Sequence, residues 1–473
     1  MIEFILNDQK VSTDKPDGSS LLDFIRKEYH LFGTKVGCRE GDCGACTVLE
    51  GSLENGKLRY RTIVSCLTPL ANVHGKHIVT VEGLNMEKLS PVQQAMADHA
   101  ATQCGFCTPG FVVSLTGLLL SDEQKDPLQA ISGNICRCTG YKSIEKAAVD
   151  TGQLKQALPA GKEMETMLEK GWLPGYFEDI PELLKNILSS TNETAHQTIN
   201  MAGGTDLMVQ QHDSIRRSEI HSLSNTLPSG ISVSEGQILA GAGVDTNDFI
   251  HDPLVRKHFP QLQGFAPLIA SEQIRNMGTL AGNMVNASPI GDINILLLAL
   301  DTTLLMEHTS GQQREVALKD FFRDYKKVNL EKGELIKYIQ IKPLEKGTLF
   351  NFEKVSKRTY LDIASVNSAI SIKAEDKTIR QVSLSLGGVA AIPKFMATTC
   401  AFLTGKELSV KTLDKALDVL QEEIAPIDDI RGSAAYKRLL ARQLFLQHFL
   451  ALFPEQLDEE AIHELMTTKT ASA

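Results

Sequence analysis

The feature that most constrains this chain is a glycine-rich loop with three closely spaced cysteines. Cys38, Cys43 and Cys46 follow the spacing C-x4-C-x2-C, and Cys66 lies further along the chain. This is the plant-type spacing, in which four thiolates hold a [2Fe–2S] cluster. A zinc site usually uses two short C-x2–4-C knuckles, and inert buried thiols are the remaining alternative. The pattern favours an iron–sulfur cluster on these four cysteines.

The residues around this loop predict a small β-rich domain over 1–85. Short apolar strands alternate with turns, and Ser20–Tyr29 has an apolar stripe at helical spacing. Gly37, Gly41 and Gly44 permit the backbone angles of a tight loop and let N–H groups approach sulfur. We expect one helix packed across a curled sheet with the cysteine loop at its rim, which is the β-grasp plan.

Charge and hydropathy exclude several classes of protein. The 473 residues carry a formal charge of −10 and no long basic run, which argues against a nucleic-acid partner. The segment Met1–Asp8 has no basic region before an apolar core, and no apolar run reaches the length of a membrane span. Nine cysteines in a long chain without an export signal indicate ligands in a reducing cytoplasm. We therefore expect a soluble cytoplasmic protein with no membrane contact.

In residues 86–160 the apolar residues recur at helical spacing instead of alternating. Ser90-Pro91 reads as an N-cap and a first helical residue, and further helices are expected over 111–120 and 144–158. This segment carries a second set of thiols, Cys104, Cys107, Cys136 and Cys138. Their spacing alone leaves three alternatives open: a second [2Fe–2S] cluster, a zinc ribbon or a redox C-x-x-C motif.

The two cysteine sets together resemble the xanthine oxidase family of molybdenum hydroxylases. The resemblance covers residues 1–150 and includes Gln103-Cys-Gly-Phe-Cys-Thr-Pro-Gly110 and Gly133-Asn-Ile-Cys-Arg-Cys-Thr-Gly-Tyr141. It implies a [2Fe–2S] cluster on each set, in a β-grasp domain and a four-helix-type domain. It also implies that the second cluster is nearer to a molybdenum–pterin centre, with Gln103 and Cys138 facing the pterin. The first cluster would then be nearer to a flavin.

Residues 168–345 are mixed α/β and carry two glycine-rich segments, Met201–Leu207 and Gly278–Asp292. Neither matches the G-x-G-x-x-G of a Rossmann unit, and no P-loop is present. A glycine pair such as Gly203-Gly204 can direct backbone N–H groups at a pyrophosphate, but it can also be a simple turn. The residues alone leave both interpretations open.

The same resemblance extends to this region, as an FAD domain of the vanillyl-alcohol-oxidase type. It implies that 201–207 and 279–283 hold the diphosphate and ribityl chain, while other positions contact the flavin. Gly204 departs from the asparagine of the animal enzymes. The implied FAD contacts are Met201, Ala202, Gly203, Gly204, Thr205, Asp206, Leu207, Ile269, Thr279, Asn283, Asp292, Ile336 and Lys354.

Residues 348–465 form the last expected domain, an α+β flavoprotein domain by the same resemblance. Alternating segments predict an antiparallel sheet ending at Gly387-Gly388, followed by amphipathic helices over 410–422 and 434–453. Cys400 stands alone and reads as a buried small hydrophobe. The tail 467–473 is expected to be disordered. The fold class predicted for the whole chain is therefore multi-domain α+β.

The resemblance implies an electron-transfer subunit with no catalytic residue of its own. Electrons from a molybdopterin centre on a partner subunit would pass through both clusters to FAD and then NAD+, during hydroxylation of a purine such as hypoxanthine or xanthine. The fused domain order favours the purine branch, with the large subunit in a dimer of heterodimers. The absence of cysteine between Cys138 and Cys400 excludes the 4-hydroxybenzoyl-CoA reductase type. An aldehyde- or N-heterocycle-oxidising relative and a stand-alone iron–sulfur flavoprotein are the alternatives.

Overall fold

The computed structural model describes residues 1–188, 199–224 and 226–468. They divide into two compact units: Met1–Thr226 with Ala270–Gly278, and Leu227–Ile269 with Thr279–Ala473. Among the helices of the described ranges, none combines the length and apolar character that a membrane crossing requires. Five residues of the tail expected to be disordered, 469–473, lie outside the described residues.

The first unit begins with a curled five-stranded sheet in the order β2-β1-β5-β3-β4, in which β1 and β5 are parallel. The helix Leu21–Lys27, capped by the Ser20 hydroxyl, packs its apolar side onto this sheet. This arrangement confirms the predicted β-grasp domain. The strands are β1 (Ile2–Leu6), β2 (Gln9–Thr13), β3 (Thr47–Glu54), β4 (Lys57–Val64) and β5 (His77–Val79).

A group of helices follows the sheet. The central helix, Thr108–Leu120, is buried on all sides from Gly110 onward because its neighbours surround it. Ser90 forms the predicted cap, and its hydroxyl and the Gln93 side chain satisfy each other's backbone N–H groups. The other α-helices are Pro91–Asp98, Pro127–Ala130, Lys142–Gln156, Glu163–Glu169 and Ile180–Leu188; short 3₁₀ helices span Ser65–Leu67, Leu70–Val73, Glu82–Leu84 and Gly175–Glu178.

The remainder of the first unit is a small α/β element beside the cysteine loop. Two short parallel strands, β6 (Ile199–Met201) and β7 (Ile220–Ser222), enclose the helices Leu207–Gln210 and His212–Ile215. Met201, Met208 and Ile215 share an apolar cluster with Cys46 and Cys66. The segment 270–278, which contains the helix Glu272–Arg275, also belongs to this unit.

The second unit contains an antiparallel five-stranded sheet in the order β11-β10-β14-β9-β8 and a separate β12-β13 pair. The strands are β8 (Ile231–Ser234), β9 (Gln237–Gly241), β10 (Thr303–His308), β11 (Gln313–Ala317), β12 (Phe322–Asp324), β13 (Lys327–Val328) and β14 (Glu334–Ile341). The α-helices are Thr246–His251, Pro253–His258, Leu262–Phe265, Leu280–Asn286 and Asp292–Ala299; 3₁₀ helices span Ala266–Leu268 and Leu318–Asp320.

A four-stranded antiparallel sheet completes the second unit. Helices Asp292–Ala299 and Ala434–Leu452 both pack on this sheet, which explains why β16 is buried along most of its length. Ser371 and Ser385 donate 2.7 Å hydrogen bonds to helix carbonyls, so these polar groups remain satisfied. The strands are β15 (Thr348–Val355), β16 (Val366–Glu375), β17 (Thr378–Gly387) and β18 (Lys394–Phe395), and the remaining helices are Ala397–Leu403, Val410–Glu423 and Glu459–Thr468.

Candidate functional site

The first cysteine set lies where the glycine-rich loop meets the sheet of the first unit. Cys46 directly precedes β3, and Cys66 lies in the 3₁₀ helix that follows β4; both are buried. Cys38 and Cys43, on the loop itself, are half-buried. The Ser65 hydroxyl donates a 2.8 Å hydrogen bond to the Cys46 carbonyl and joins the loop to the segment that carries Cys66.

The four thiols of this set form two close pairs, Cys38 with Cys43 and Cys46 with Cys66. A hydrogen bond from the Cys43 thiol lowers the pKa of Cys38 to about 5, and the Glu40 backbone N–H contributes to the same effect. The Cys66 thiol lowers the pKa of Cys46 in the same way. The same hydrogen bonds raise the pKa of the partner thiols, Cys43 and Cys66, so one sulfur of each pair ionises before the other. The thiolate is the form that binds a metal.

The second set also forms two pairs, in the helical part of the first unit. The sulfur atoms of Cys104 and Cys138 are 3.5 Å apart, and Cys107 pairs with Cys136. A backbone hydrogen bond from Phe106 and a thiol hydrogen bond from Cys138 lower the pKa of Cys104. Cys136 is buried, whereas Cys104 and Cys138 are exposed. Two of the four cysteines of this set are therefore accessible to solvent.

The pairing of thiols fits a two-iron cluster better than a single metal ion. Within the described ranges, no three His, Cys, Asp or Glu side chains converge closely enough to hold one ion. A tetrahedral zinc site needs four ligands around one point, whereas each iron of a [2Fe–2S] cluster takes two thiolates. Both sets fit [2Fe–2S] clusters.

The loops that carry the two sets touch each other. The Ile135 N–H donates a 3.0 Å hydrogen bond to the Cys43 carbonyl. Asn134 donates to the Gly44 carbonyl and accepts from Ser114, and the fully buried Gln273 donates to it. Sequence reasoning did not single out Asn134 or Gln273; the position of Asn134 inside a cysteine motif was the only available signal.

The residue expected to face a pterin, Gln103, is exposed, as are its neighbour Cys104 and the other expected pterin-facing residue, Cys138. Phe106 is 46% exposed on the same short segment, which is a large apolar side chain to leave in water. The structure thus leaves both expected pterin-facing residues accessible from outside the chain.

The segment 201–207 forms an open turn between β6 and the helix Leu207–Gln210 in the first unit. Gly204 has φ +77°, and a Cβ atom on Gly203 would lie 1.8 Å from the Met277 carbonyl oxygen. Asn72 fixes the turn through a 2.7 Å hydrogen bond to the Ala202 carbonyl. Among the residues that the structure describes, the N–H groups of Gly203, Gly204 and Thr205 donate to no partner. Such a row of unpaired backbone donors fits an anionic group such as a diphosphate.

Thr279 and Asn283 lie at the start of one helix of the second unit. The Thr279 hydroxyl caps the helix Leu280–Asn286 by accepting from the Gly282 N–H at 3.1 Å. Asn283 Oδ1 is buried and accepts no hydrogen bond in the described part of the chain. An orphaned amide oxygen of this kind is costly unless a ligand supplies the donor, so Asn283 fits a ligand contact.

Asp292 and Lys354 form a buried ion pair with a 2.7 Å separation in the second unit. Asn367 also donates to Asp292 at 2.6 Å, and Lys354 donates to the carbonyl of Leu268, next to Ile269. Burial raises the pKa of Asp292, although Lys354 and Asn367 oppose that change. The structure thus brings three of the expected flavin contacts together; a fourth, Ile336, is buried on β14.

Four family models match consecutive parts of the chain. The 2Fe-2S iron-sulfur cluster binding domain matches 4–71, and the [2Fe-2S] binding domain matches 80–149. The FAD binding domain in molybdopterin dehydrogenase matches 172–343, and the CO dehydrogenase flavoprotein C-terminal domain matches 352–452. The predicted fold class and the predicted cofactors, two [2Fe–2S] clusters and FAD, are confirmed by these matches.

Whole-chain relatives include xanthine dehydrogenases from Emericella nidulans and Oryza sativa subsp. japonica. Both are 30% identical to this chain, over 95% and 92% of its length. The match spans only 38% of the length of each of these curated relatives. Among solved structures, a carbon monoxide dehydrogenase from Hydrogenophaga pseudoflava aligns at 28% identity with a TM-score of 0.49, covering 52% of this chain and 86% of that one.

Proposed function

Because the chain belongs to the xanthine oxidase family of molybdenum hydroxylases, we propose that it is the iron–sulfur and flavin subunit of a xanthine dehydrogenase. In this proposal it receives electrons from a molybdopterin centre on a partner subunit and delivers them to NAD+. The partner hydroxylates the purine, hypoxanthine or xanthine, with oxygen from water. This chain contributes no catalytic acid or base.

The observation that carries the proposal is the arrangement of eight thiols as four close pairs, two pairs in each set. When bound, the clusters exchange single electrons and FAD accepts two, so that the chain can pass a pair of electrons onward as a hydride. The protein's own part is to hold these groups in place. The 3.0 Å hydrogen bond between Ile135 and Cys43 keeps the two cysteine loops in contact.

The exposed thiols support the assignment of a partner. Cys104 and Cys138 are exposed beside Gln103 and the large apolar side chain of Phe106. An electron donor on another subunit needs a cluster that it can approach closely. The first set is less open, because two of its cysteines are buried and the other two are half-buried. We therefore assign this face to the molybdopterin subunit. From the family resemblance alone, we propose that the two chains assemble as a dimer of heterodimers.

We assign the flavin-binding residues within each unit separately. In the first unit, the unpaired N–H groups of 203–205 would hold the FAD diphosphate. In the second unit, Thr279 and Asn283 would contact the ribityl chain, and the orphaned Asn283 oxygen supports this role. Ile269, Asp292, Ile336 and Lys354 would contact the flavin, and the buried Asp292–Lys354 pair provides a rigid polar support for it.

Metal analysis, EPR and a steady-state assay test the proposal. Protein purified without oxygen should contain iron and sulfide for two clusters and one FAD, and it should show two distinguishable [2Fe–2S] signals after reduction. Cys43→Ser should remove one signal and Cys136→Ser the other, with FAD retained in both variants. Colourless protein that contains zinc, or loss of neither signal, would contradict the cluster assignment.

Isolation of the native protein tests the partner and the substrate. Co-purification with a molybdenum-containing chain, and NAD+ reduction with xanthine, is the expected result. If the protein is recovered with such a chain but is active only on aldehydes or other N-heterocycles, it belongs to another branch of the family. Recovery with FAD and both clusters but no molybdenum chain would identify a stand-alone iron–sulfur flavoprotein instead.

A further inference from the structure

Arg39, the residue after Cys38 in the cysteine loop, has an unusual backbone conformation. Its φ is +61°, in the left-handed region that glycine adopts freely and arginine rarely does. A residue of this kind stays there only when its surroundings hold it. At Gly41 and Gly44 the same loop uses glycine for left-handed backbone angles. A need for such angles alone therefore does not explain an arginine at position 39.

The group that holds Arg39 is the carboxylate of Asp23. Arg39 Nη2 lies 2.8 Å from Asp23 Oδ1, and the Asp23 residue is only 7% exposed. Asp23 is itself fixed, because it lies in the first turn of the helix Leu21–Lys27 and its N–H donates to the Ser20 hydroxyl that caps the helix. Arg216 bonds to the other carboxylate oxygen, and the exposed Lys27 lies 3.6 Å away.

The conformation of residue 39 has a direct effect on a sulfur atom. The dihedral angles of this residue orient the next peptide group, and the Glu40 N–H donates to Cys38 Sγ at 3.3 Å. Hydrogen bonds to cysteine sulfur are one of the ways in which a protein sets the potential of an iron–sulfur cluster. An N–H donor favours the more negative, reduced form of the cluster and so raises its potential.

We propose that Asp23 and Arg39 are a positioning pair that raises the redox potential of the first cluster by aiming the Glu40 N–H at Cys38 Sγ. The inference rests on the proposed [2Fe–2S] cluster at Cys38, Cys43, Cys46 and Cys66 and adds how this chain adjusts it. Neither residue touches the reacting atoms of the substrate; both act through Cys38.

Two substitutions at position 39 separate the effect of the backbone conformation from the effect of the guanidinium charge. Arg39→Ala and Arg39→Gly both remove the guanidinium, but only glycine retains the left-handed conformation without a side-chain anchor. In redox titrations followed by EPR, the first cluster should have a clearly lower midpoint potential in Arg39→Ala than in Arg39→Gly. The second cluster, whose ligands are elsewhere, should titrate as in the wild type in both. Equal potentials for the first cluster in the two variants would overturn the proposal.

Asp23→Asn gives a second test in which charge and geometry act in opposite directions. Loss of a nearby negative charge would by itself raise the potential, whereas release of Arg39 should lower it. A lower potential of the first cluster in Asp23→Asn supports the positioning role, and a higher or unchanged potential overturns it. This test also applies if Arg39→Ala fails to assemble its cluster. Lys27→Gln, which removes another cation from the same carboxylate, should leave the potential unchanged. Zinc or no metal at the first set would instead reject the cluster assignment itself.

Discussion

Asn134 and Gly44 are 90 residues apart in the chain, and Asn134 Nδ2 donates a 3.0 Å hydrogen bond to the Gly44 carbonyl oxygen. Gly44 lies between Cys43 and Cys46, and Asn134 lies two residues before Cys136. A single buried amide therefore joins the loops of the two cysteine sets. The loops are further fixed because a Cβ atom on Gly44 would lie 2.3 Å from the Gly133 carbonyl oxygen, which leaves no room for a side chain.

Asn134→Ala should destabilise the first unit. Asn134 is 3% exposed, and its amide serves Gly44, Ser114 and Gln273. Each buried group left unsatisfied costs about 1–3 kcal/mol, so we expect a loss of about 3 kcal/mol in the free energy of unfolding. Urea denaturation measures it. The same substitution at the exposed Asn85 should cost less than about 0.5 kcal/mol; equal losses would mean that Asn134 does not link the loops.

Gly44→Ala should prevent assembly of the first cluster. Both φ, at +65°, and the 2.3 Å approach to Gly133 oppose a side chain at this position. Gly56→Ala is the matched control, because Gly56 has φ +81° but has open space around its Cβ position. The control should lose about 1–2 kcal/mol and keep its full iron content. Iron analysis and EPR compare the two, and full iron content in Gly44→Ala would disprove the close packing.

Gly203→Ala should release FAD. The new methyl group would meet the Met277 carbonyl oxygen at 1.8 Å and displace the turn whose N–H groups we assign to the diphosphate. Gly230→Ala, where the added Cβ atom meets nothing within 4 Å, should retain its flavin. Chromatography of the FAD released from denatured protein gives the ratio of flavin to chain. Unchanged flavin in Gly203→Ala would remove this turn from the binding site.

Asp292→Asn should destabilise the second unit and weaken flavin binding. The substitution leaves the ammonium of Lys354, whose side chain is 2% exposed, without its counter-ion. Removing one partner of a buried ion pair typically costs about 3–5 kcal/mol. Asp301→Asn breaks an exposed pair with Lys319 and should cost about 0–1 kcal/mol. Urea denaturation and FAD content are the measurements; a loss for Asp292→Asn no larger than for Asp301→Asn would contradict this assignment.

His448 should make the second unit sensitive to acid. Burial lowers its pKa to about 3, from 6.5 when unfolded, so the unfolded chain binds more protons between these values. Its stabilising contribution is therefore full above about pH 6.5 and decreases as the pH falls. Between pH 7 and pH 5 the free energy of unfolding should therefore fall by about 2 kcal/mol, because each pH unit below 6.5 costs about 1.36 kcal/mol.

The substitution His448→Gln should remove that part of the pH dependence. Asn351 donates to Nδ1 at 3.0 Å and Nε2 lies 2.9 Å from the Ser368 hydroxyl, so the ring is held neutral between them. Urea denaturation at pH 7 and pH 5 gives the difference. His463→Gln, at an exposed position of the last helix, should keep the wild-type dependence. The same slope in all three proteins would show that His448 does not titrate on unfolding.

Short sequence patterns predicted the elements that depend on interactions between residues close together in the chain. The Ser90 cap, the helix over 410–422 and the strand that ends at Gly387 are found as expected because capping and alternation act over a few residues. The sheet itself does not end there, because β18 pairs with β17 beyond the glycines. The helix predicted from 111 begins earlier, at Thr108. Proline is tolerated in the first turn, where its missing N–H would have no partner, so Pro109 does not delay the start.

Long-range partners could not be predicted in this way. Gln273 is fully buried and bonds to Asn134 from 139 residues away, and nothing in its neighbouring sequence marks it as a core residue. The pairing of Asp23 with Arg39 also depends on how a helix packs beside a loop. A single sequence shows which thiols belong to a motif, but the groups that hold them come from distant segments.

The cysteines differ in exposure, and this difference determines which of them would be oxidised first in protein purified without a partner. Cys46 and Cys66 are covered by the protein, whereas Cys104 and Cys138 are open to peroxide and oxygen, which attack accessible thiolates first. Oxidative damage would therefore begin at the second cysteine set and reach the buried cysteines of the first set later. If the proposed partner subunit covers the second set, it would protect these cysteines from oxidation as well as exchange electrons with them.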